Sequence, residues 1–343
     1  MFAGCRLATP RGREWRLDPA FRPSGAAREV VVEHAIVLGV DALTLAGLYL
    51  LIGIGYAVAY SVLGIFHFVH GDVAVMGGMV GVGILLLLDV GMMESPFIWL
   101  ALVVALVCAA AAGAAASVAI ERGVYRRLRA RSRITPLIAA IGLSLVLENV
   151  LMLTTSKEPI LVPPIVIPQG AVTLGPVHVL SMSLVVMLAA LACLAATVLL
   201  LRRSDIGTAM RAIAQDQEAA EFIGLPTGRL ISTGFALAGA LAGIGGVLLG
   251  MYAGSLKWSD GLILGIKGFA AALIGGLGSV VGAGLGAVIL AGSEIFGVGI
   301  RVGDFQLDNA WRETVAFLVV IVVLLVRPEG ILRRGARTWQ VRN

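Results

Sequence analysis

Long runs without a charged residue alternate along the chain with short polar segments. Five runs have this character: Ala42–Phe66, Ser95–Ile120, Val179–Leu201, Leu230–Leu256 and Gly268–Ser293. Each is long enough to cross the ~30 Å hydrocarbon core of a bilayer as one helix, which takes about 20 apolar residues. None alternates between apolar and polar positions as a strand of an outer-membrane barrel does. Shorter or interrupted runs at Val73–Leu88, Ile134–Leu153 and Thr314–Val326 also read as spans, which predicts about eight membrane helices.

Glycine interrupts several of these runs, at points where a helix can bend, re-enter the membrane or turn. The number of spans is therefore predicted to within one. Glycines also recur at four-residue spacing, in the pairs Gly77/Gly81, Gly239/Gly243 and Gly246/Gly250 and in the triplet Gly278/Gly282/Gly286. This spacing places small residues on one helix face and lets helix backbones approach closely. We therefore predict a tightly packed helix bundle with a subunit interface, and we expect the triplet to serve helix packing.

Composition narrows the class of protein. The chain has 343 residues, of which 59% are hydrophobic and only 14% are charged, whereas about a quarter of the residues in a soluble domain are charged. So few charges cannot cover the surface of a soluble protein. Soluble enzymes, disordered proteins and nucleic-acid-binding domains are thereby excluded. The predicted fold class is an all-α polytopic membrane protein, a glycine-rich bundle with possible re-entrant segments in the lipid bilayer.

The positive charges predict orientation. The net charge is +5, and six arginines lie between Arg122 and Arg133. Further arginines cluster in residues 202–229 and 327–342, and the positive-inside rule places all three clusters in the cytoplasm. Segment 155–178 carries one Lys, one Glu and five prolines and is assigned to the outer face. A nucleic-acid patch is the alternative interpretation of the arginines, but they flank membrane spans, so no nucleic-acid partner is expected.

Residues 1–33 do not fit the pattern of spans. They contain six arginines, three prolines and no apolar core, so they are not a secretory signal, and we interpret them as a basic, disordered tail. Their charge favours a cytoplasmic N-terminus, whereas three spans before the Arg122 cluster favour an external one. A re-entrant segment near Phe66–Gly71 or a misassigned start would reconcile the two arguments.

Ionisable and polar residues at membrane depth are costly, and each is therefore a functional candidate. The candidates in the predicted spans are His67, His70, Asp72, Glu148, Asn149, Lys267 and Glu294. The two histidines lie three residues apart and would share a helix face. They could instead hydrogen-bond helix ends or line a wet vestibule, and a metal site is disfavoured because nothing nearby completes it. Lys267 either reaches the membrane interface or lines a pore.

Catalytic motifs are missing from the sequence. Lys267 lacks the preceding Gly and following Ser or Thr of a phosphate-binding loop, so an ATPase that drove transport would be another polypeptide. The segment 202–229 is suited to meet such a partner. Residues 211–222 are rich in helix formers, Gly224 suits a helix end and Pro226 prevents continuation. Ala219, Ala220 and Gly224 would offer a small-residue surface beside acidic neighbours, although a solvated linker helix is an equally simple interpretation.

Several short motifs resemble those of one transporter family. The triplet Glu218-Ala219-Ala220, followed by Gly224, is similar to the coupling-helix loop of ATP-binding cassette importer permeases. Four further segments resemble, in the right order, landmarks of the branched-chain amino acid permease family: Phe68–Asp72, Glu121–Arg126, Pro136–Ser144 and Lys267–Ser279. The ending Leu325–Leu332 also matches, so the resemblance covers about residues 35–332. The chain looks most like the shorter of the two permease subunits of that family.

The resemblance implies a set of partners and a division of the chain. The expected partners are a second permease subunit in a heterodimer, two cytoplasmic ATP-binding subunits and an external solute-binding protein, with no cofactor and no metal. Residues 34–332 would form the permease domain in the inner membrane, 202–229 its cytoplasmic coupling loop and 333–343 a cytoplasmic tail. Three residues depart from the family pattern: His67 replaces Asn, Val69 replaces Ala and Glu148 replaces a frequent amide.

The leading hypothesis is therefore a non-enzymatic subunit that forms the pathway for branched-chain or related amino acids. Asp72 and Glu148 would attract the ammonium group, while His67, His70 and backbone amides at Gly71 would receive the carboxylate, with Asn149 beside them. The same family also carries urea and short amides. An ATP-independent secondary transporter or channel is the runner-up, and a membrane enzyme centred on the two histidines and Asp72 comes third.

Overall fold

The computed structural model describes most of the chain as helices that pack side by side. The described residues are 25–64, 67–92, 95–128, 134–155, 157–166, 170–174, 177–299 and 308–332. The helices are α1 (Gly25–Leu63), α2 (His70–Leu87), α3 (Ser95–Ile120), α4 (Arg126–Leu128), α5 (Ile134–Thr154), α6 (Ser181–Arg203), α7 (Asp205–Gln215), α8 (Gln217–Phe222), α9 (Thr227–Ala253), α10 (Asp260–Gly275), α11 (Val280–Gly299) and α12 (Arg312–Val326). The π-helical turn Glu121–Tyr125 joins α3 to α4, and 3₁₀ turns lie at Val90–Met92, Pro164–Val166 and Asn309–Trp311.

Four short strands form two antiparallel pairs. The strands are β1 (Ile160–Leu161), β2 (Ala171–Leu174), β3 (Val177–Leu180) and β4 (Ser255–Leu256). β1 pairs with β4, so the segment after α5 is attached to the turn between α9 and α10. β2 pairs with β3 directly before α6 begins. Both pairs close connections at helix ends.

The predicted number of spans is confirmed. Eight helices among the described residues are long and apolar enough to cross a membrane. One predicted boundary is wrong, because the run Gly268–Ser293 is not one helix. The chain turns between α10 and α11, where Gly276 and Gly278 have φ of +102° and +81°, a conformation that glycine adopts without steric cost. α10 is thus a short apolar helix in addition to the eight, with most of its residues buried. Segment Phe66–Gly71 stays a predicted re-entrant one, since Phe66 lies outside the described residues.

Close backbone contacts at glycine hold the centre of the bundle together. A Cβ atom on Gly77 of α2 would lie 2.6 Å from Cα of Gly243 in α9. Gly243 itself lies against the backbone of Ala109 in α3, and Gly239 of α9 lies against Gly113 of α3. The predicted four-residue pairs therefore pack α2, α3 and α9 against one another inside a single subunit.

The triplet Gly278/Gly282/Gly286 differs from the prediction. Gly278 lies in the α10–α11 turn and not on a shared helix face. Gly282 and Gly286 pack α11 onto α10, since a Cβ atom on either would collide with the backbone of Gly275 or Ala271. These two glycines serve packing as expected, but the surface that they bring together lies within the chain and is not a subunit interface.

The bundle has two distinct ends. At the arginine end, which we define by Arg126, Arg202 and Arg211, the last turn of α1 at Ser61 lies beside Gly278. At the opposite end, His34 of α1 lies beside Gly299, with 3.4 Å between His34 Nε2 and the Gly299 carbonyl oxygen. The first helix therefore runs from the end remote from the arginines toward them, which is the direction obtained by counting three spans before Arg122.

The first helix begins earlier than the predicted domain boundary. α1 starts at Gly25, so residues 25–33, which were assigned to a disordered tail, are helical. The sequence Ala26-Ala27-Arg28-Glu29 has high helix propensity, which is why helix extends past the apolar run into charged residues. Residues 1–24 of the predicted tail lie outside the described residues, as do residues 333–343.

A glycine substitution on α11 tests the packing of the bundle. We expect Gly282→Leu to destabilise the protein by at least the ~1–3 kcal/mol typical of an overpacked core, because the new side chain meets the Gly275 backbone. The matched control is Gly292→Leu on the same helix, where no atom lies within 4 Å of a new Cβ. Thermal unfolding in detergent measures both. Equal stability of the two variants would contradict the backbone contact between α10 and α11.

Candidate functional site

A group of polar side chains lies buried at the start of α2. His67 and His70 are 1% and 0% exposed, and their ring centroids are 5.7 Å apart. A 2.9 Å hydrogen bond joins His67 Nδ1 to the hydroxyl of Tyr125. The ring of Tyr56 from α1 meets His70 edge-on at 4.8 Å, and Asp72 is buried two residues further along α2. These five residues, Tyr56, His67, His70, Asp72 and Tyr125, are called the α2 cluster below.

Local backbone structure fixes the first members of the cluster. His67 precedes the helix, and its carbonyl oxygen accepts a 3.0 Å hydrogen bond from the His70 amide. Asp72 lies in the first turn of α2, where the positive end of the helix dipole favours a carboxylate. Nearby glycines leave room for the cluster. A Cβ atom on Gly55 would collide with the His70 ring, and one on Gly261 would collide with Asp72.

Several polar atoms of the α2 cluster have no partner. The Tyr56 hydroxyl, Nε2 of His67 and Oδ1 of Asp72 are fully buried and make no hydrogen bond to any residue that the structure describes. His70 faces the backbone of Ile52, but neither of its ring nitrogens makes a hydrogen bond of normal geometry. A buried polar group without a partner costs about 1–3 kcal/mol. Such groups in native proteins usually serve a ligand, a water or catalysis, so this cluster is the strongest candidate site.

The two predicted residues on α5, Glu148 and Asn149, differ in their position relative to the α2 cluster. Ser144 donates a short hydrogen bond to Oδ2 of Asp72, and Glu148, one turn later, lies close enough for its charge to act on Asp72. Asn149 is exposed, and its side-chain amide donates to the carbonyl oxygen of Leu145 in its own helix at 2.7 Å. The structure therefore brings Glu148 to the cluster but does not bring Asn149 there.

Four separate sequence motifs meet at the α2 cluster. Phe68–Asp72 supplies His70 and Asp72, Glu121–Arg126 supplies Tyr125, and Pro136–Ser144 supplies Ser144. Phe269, from the motif beginning at Lys267, packs against Tyr56 and Phe68 with ring centroids 5.6 and 5.4 Å apart. Sequence reasoning missed Tyr56, Tyr125 and Ser144 as site residues. The last two lie inside recognised motifs, which was the available signal, whereas Tyr56 is a single hydroxyl in an apolar run.

The π-helical turn Glu121–Tyr125 contacts the cluster on one side and the start of α9 on the other. Glu121 is fully buried and accepts hydrogen bonds from Arg126 at 3.2 and 3.1 Å and from the Ser232 hydroxyl at 2.6 Å. Arg126 also donates to the carbonyl oxygen of Gly228 at 3.1 Å. A fully paired buried carboxylate stabilises one arrangement of these helices. The turn therefore fixes Tyr125 against His67 while it ties α3 to α9.

Lys267 and Glu294 belong to a second buried group, near the middle of α10 and α11. Glu294 is 2.9 Å from both Lys267 Nζ and Arg312 Nε, and it accepts a 2.7 Å hydrogen bond from the Tyr49 hydroxyl. Glu313 lies 3.5 Å from Lys267. The structure thus gives Lys267 neither of its expected roles, because it pairs with a carboxylate inside the bundle. Every carboxylate and ammonium group here has an opposite charge, which indicates a structural role.

No metal centre is formed by these residues. Among the described residues, no group of three or more His, Cys, Asp or Glu side chains has an arrangement that could hold a metal ion. The α2 cluster instead combines imidazole, hydroxyl and carboxylate groups inside aromatic walls. Such a set can bind a small molecule through hydrogen bonds and one negative charge.

The predicted coupling segment contains two helices where one was expected. α7 ends at Gln215, and the extended backbone of Asp216 separates it from α8. The Asp216 side chain caps α8 by accepting a 2.9 Å hydrogen bond from the Ala219 amide, a role in which Asp stabilises a helix start. Gly224 has φ of +84°, and the Leu225 amide bonds to the Ala220 carbonyl oxygen, so α8 ends at the predicted glycine.

The exposed surface of α8 differs from the one that spacing suggested. Glu218, Ala219 and Gly224 are exposed, but Ala220 is 3% exposed and packs into the protein's own core. Two large apolar side chains project beside them, since Phe222 is 84% exposed and Ile223 is 75% exposed. A partner that binds α8 would meet these two side chains, and Ala220 is unavailable to it.

Comparison with known proteins gives a consistent result over most of the chain. A family described as the permease component of branched-chain amino acid transport systems matches residues 39–324. The chain is 34% identical over 309 residues to the high-affinity branched-chain amino acid transport system permease protein BraD of Pseudomonas aeruginosa, covering 88% of this chain and 97% of that protein. It is 34% identical over 300 residues to the corresponding permease protein LivH of Escherichia coli, covering 86% and 94%.

A substitution at Glu294 tests whether the second buried group is structural. We expect Glu294→Gln to lower the free energy of unfolding by about 3–5 kcal/mol, because Lys267 and Arg312 lose their shared anion inside the bundle. Glu313→Gln is the control, since Glu313 is half exposed and exposed pairs contribute about 0–1 kcal/mol. Unfolding in detergent measures both variants. A Glu294→Gln protein as stable as Glu313→Gln would contradict this assignment.

Proposed function

Since the chain belongs to the family of permease components of branched-chain amino acid transport systems, we propose that it conducts branched-chain or related amino acids across the inner membrane. It acts as one permease subunit of an ATP-binding cassette importer. The partners that complete this importer are a second, related permease subunit, two cytoplasmic ATP-binding subunits and an external solute-binding protein. The arginine end of the bundle faces the cytoplasm in this proposal, as the positive-inside rule requires.

The substrate pathway passes the α2 cluster. The observation that carries this assignment is the set of unpartnered polar atoms on Tyr56, His67, His70 and Asp72, all of them buried. A zwitterionic amino acid offers a group for each kind of atom in the cluster. Its ammonium would bind Asp72, with Glu148 nearby, and its carboxylate would accept hydrogen bonds from imidazole N–H groups and from amides at Gly71. Asn149 plays no part in this site.

The cluster is closed to solvent in this structure. His67, His70 and Asp72 are at most 1% exposed, so a substrate can reach them only when helices separate. An alternating pathway has this property, because the site opens to one side of the membrane at a time. Two further transport hypotheses remain as outcomes of the tests. One is a pathway for urea or short amides, and the other is transport without ATP.

α8 is the proposed contact with the ATP-binding subunits. Phe222 and Ile223 would insert into an apolar groove, while Glu218 and Ala219 lie against its rim and Gly224 allows the sharp turn beyond. The short helix is held firmly, because the Thr227 hydroxyl donates to the Glu221 carboxylate at 2.8 Å and Ala220 anchors its inner face. A rigid helix with large exposed apolar side chains has the properties of an interface hot spot.

A substitution at Asp72 tests the substrate pathway. We expect Asp72→Asn to lower ATP-dependent leucine uptake by at least tenfold, because an ammonium group loses its carboxylate, which corresponds to about 1.4 kcal/mol or more. Uptake into membrane vesicles of the assembled transporter measures the effect, with leucine and urea tested in parallel. Asp89→Asn is the control, since Asp89 follows the other end of α2 and is exposed.

The outcomes of this experiment distinguish the hypotheses. Leucine uptake that survives Asp72→Asn at wild-type rates would remove the α2 cluster from the pathway. Urea uptake by the wild-type protein that exceeds leucine uptake would favour the amide pathway. Leucine uptake that persists without ATP would favour a secondary transporter.

A substitution at Phe222 tests the coupling contact. We expect Phe222→Ala to weaken association with the ATP-binding subunits by about 30-fold or more, the effect of truncating a hot-spot side chain worth about 2 kcal/mol. Co-purification and substrate-stimulated ATP hydrolysis measure it. Ile206→Ala is the control, because Ile206 is also exposed but lies on α7. Unchanged association in Phe222→Ala would show that α8 is a solvated linker.

A further inference from the structure

A cavity of about 350 Å³ opens at the arginine end of the bundle. It lies between the last turns of α1 and α6, helix α7, and the turn that joins α10 to α11. Twelve residues line it, among them Ser61, Leu201, Arg202, Arg211, Gly278 and Val281. The cavity is distinct from the α2 cluster, with which it shares no residue.

The polar part of this lining is positive. Arg202 and Arg211 both contribute to it, and the twelve lining residues include no Asp or Glu. Arg211 is held in place, because its guanidinium donates to the Leu201 carbonyl oxygen and, at 3.1 Å, to the Thr208 hydroxyl. Arg202 is exposed at the end of α6. The ligand chemistry that complements two guanidinium groups without a carboxylate is an anion, and arginine favours phosphate and carboxylate oxygens.

The rest of the lining is apolar and continues along the outside of the bundle. Val281 lines the cavity, and Leu285 and Val288 follow it on the same face of α11. All three side chains are close to half exposed. α6 borders this face, since Leu194 approaches Gly284. An anion site that continues into a row of exposed apolar side chains on one face of α11, beside α6, fits an amphiphile with an acyl chain.

We propose that this cavity binds the headgroup of an anionic phospholipid from the cytoplasmic leaflet. The phosphate lies between Arg202 and Arg211, and an acyl chain follows Val281, Leu285 and Val288 along α11. Basic pockets at the cytoplasmic ends of membrane helices attract such lipids, because the leaflet carries a negative surface potential. A bound lipid would pack α6 and α7 against the α10–α11 turn, next to the segment that leads into α8.

The experiment uses the full chain purified with its partner subunits in detergent. Phosphatidylglycerol, phosphatidylcholine or inorganic phosphate is added, and retained lipid is counted by native mass spectrometry beside thermal unfolding. We expect phosphatidylglycerol to bind and to raise the unfolding temperature, while phosphatidylcholine and inorganic phosphate do neither. Arg202→Gln should weaken phosphatidylglycerol binding about fivefold, the effect of one basic residue at an anionic headgroup.

Two matched controls make the result specific. Arg203→Gln removes the neighbouring charge from the same helix end but not from the cavity lining, so it should bind phosphatidylglycerol like the wild type. Val281→Trp should fill the mouth of the cavity and reduce binding, whereas Val322→Trp, at an exposed valine of α12 outside the cavity lining, should bind phosphatidylglycerol like the wild type. Both tryptophan variants retain all arginines, so they separate the shape of the cavity from its charge.

Several results would overturn the proposal. Equal losses in Arg202→Gln and Arg203→Gln would mean that the arginines attract anionic lipid without a defined site. Binding of inorganic phosphate with the same stabilisation would identify a free-anion site. Loss of an ATP-binding subunit from Arg202→Gln, with lipid still bound, would identify the cavity as a protein contact.

Discussion

Contact of backbone with backbone at glycine is the constraint on which the structure depends. Lipid offers no hydrophobic force to hold membrane helices together, so they associate by close packing. In this chain the short helix α2 is surrounded by α3, α9 and α10, and glycines on these helices bring the backbones into contact. Side chains larger than hydrogen would separate the helices. Glycine also leaves room for the polar side chains at the start of α2, since a Cβ atom on Gly55 or Gly261 would collide with His70 or Asp72.

The two buried polar groups show what this packing permits. Around Glu294, each charge meets an opposite charge and the group ties α1, α10, α11 and α12 together. Around His70, several donors and acceptors have no partner among the described residues. Glu294 and Lys267 are nearly as buried as His70 and Asp72, so burial alone does not separate a structural group from a functional one. The difference lies in the charges, which are paired around Glu294, whereas the polar atoms around His70 are left without partners among the described residues.

The turn Glu121–Tyr125 connects the proposed substrate site with the proposed contact for the ATP-binding subunits. Glu121 and Arg126 hold the first turn of α9, which follows α8 directly, and Tyr125 holds His67. Movement of α8 would therefore act on α9 and on the wall of the α2 cluster through a few hydrogen bonds. A π-helical turn is a frequent feature of functional sites. Here it lets Glu121 face α9 while Tyr125, four residues later, faces the α2 cluster.

The class of protein, about eight spans and the family follow from the sequence alone, whereas it left the direction of the spans open between two conflicting arguments. These properties depend on run lengths, charge and local motifs, which are readable residue by residue. The sequence also pointed to His67, His70 and Asp72 as candidate site residues, because polar residues inside apolar runs are conspicuous. The tertiary structure was needed to show that Tyr56, Tyr125 and Ser144 join this polar group and that Asn149 does not. It was also needed to show that Ala220 is covered while Phe222 is exposed. The reason is that partners distant in the chain determine burial and hydrogen bonding, and no local pattern specifies those partners. The break between α10 and α11 is a similar case, since glycine permits both a helix and a turn and the packing of the two helices selects the turn.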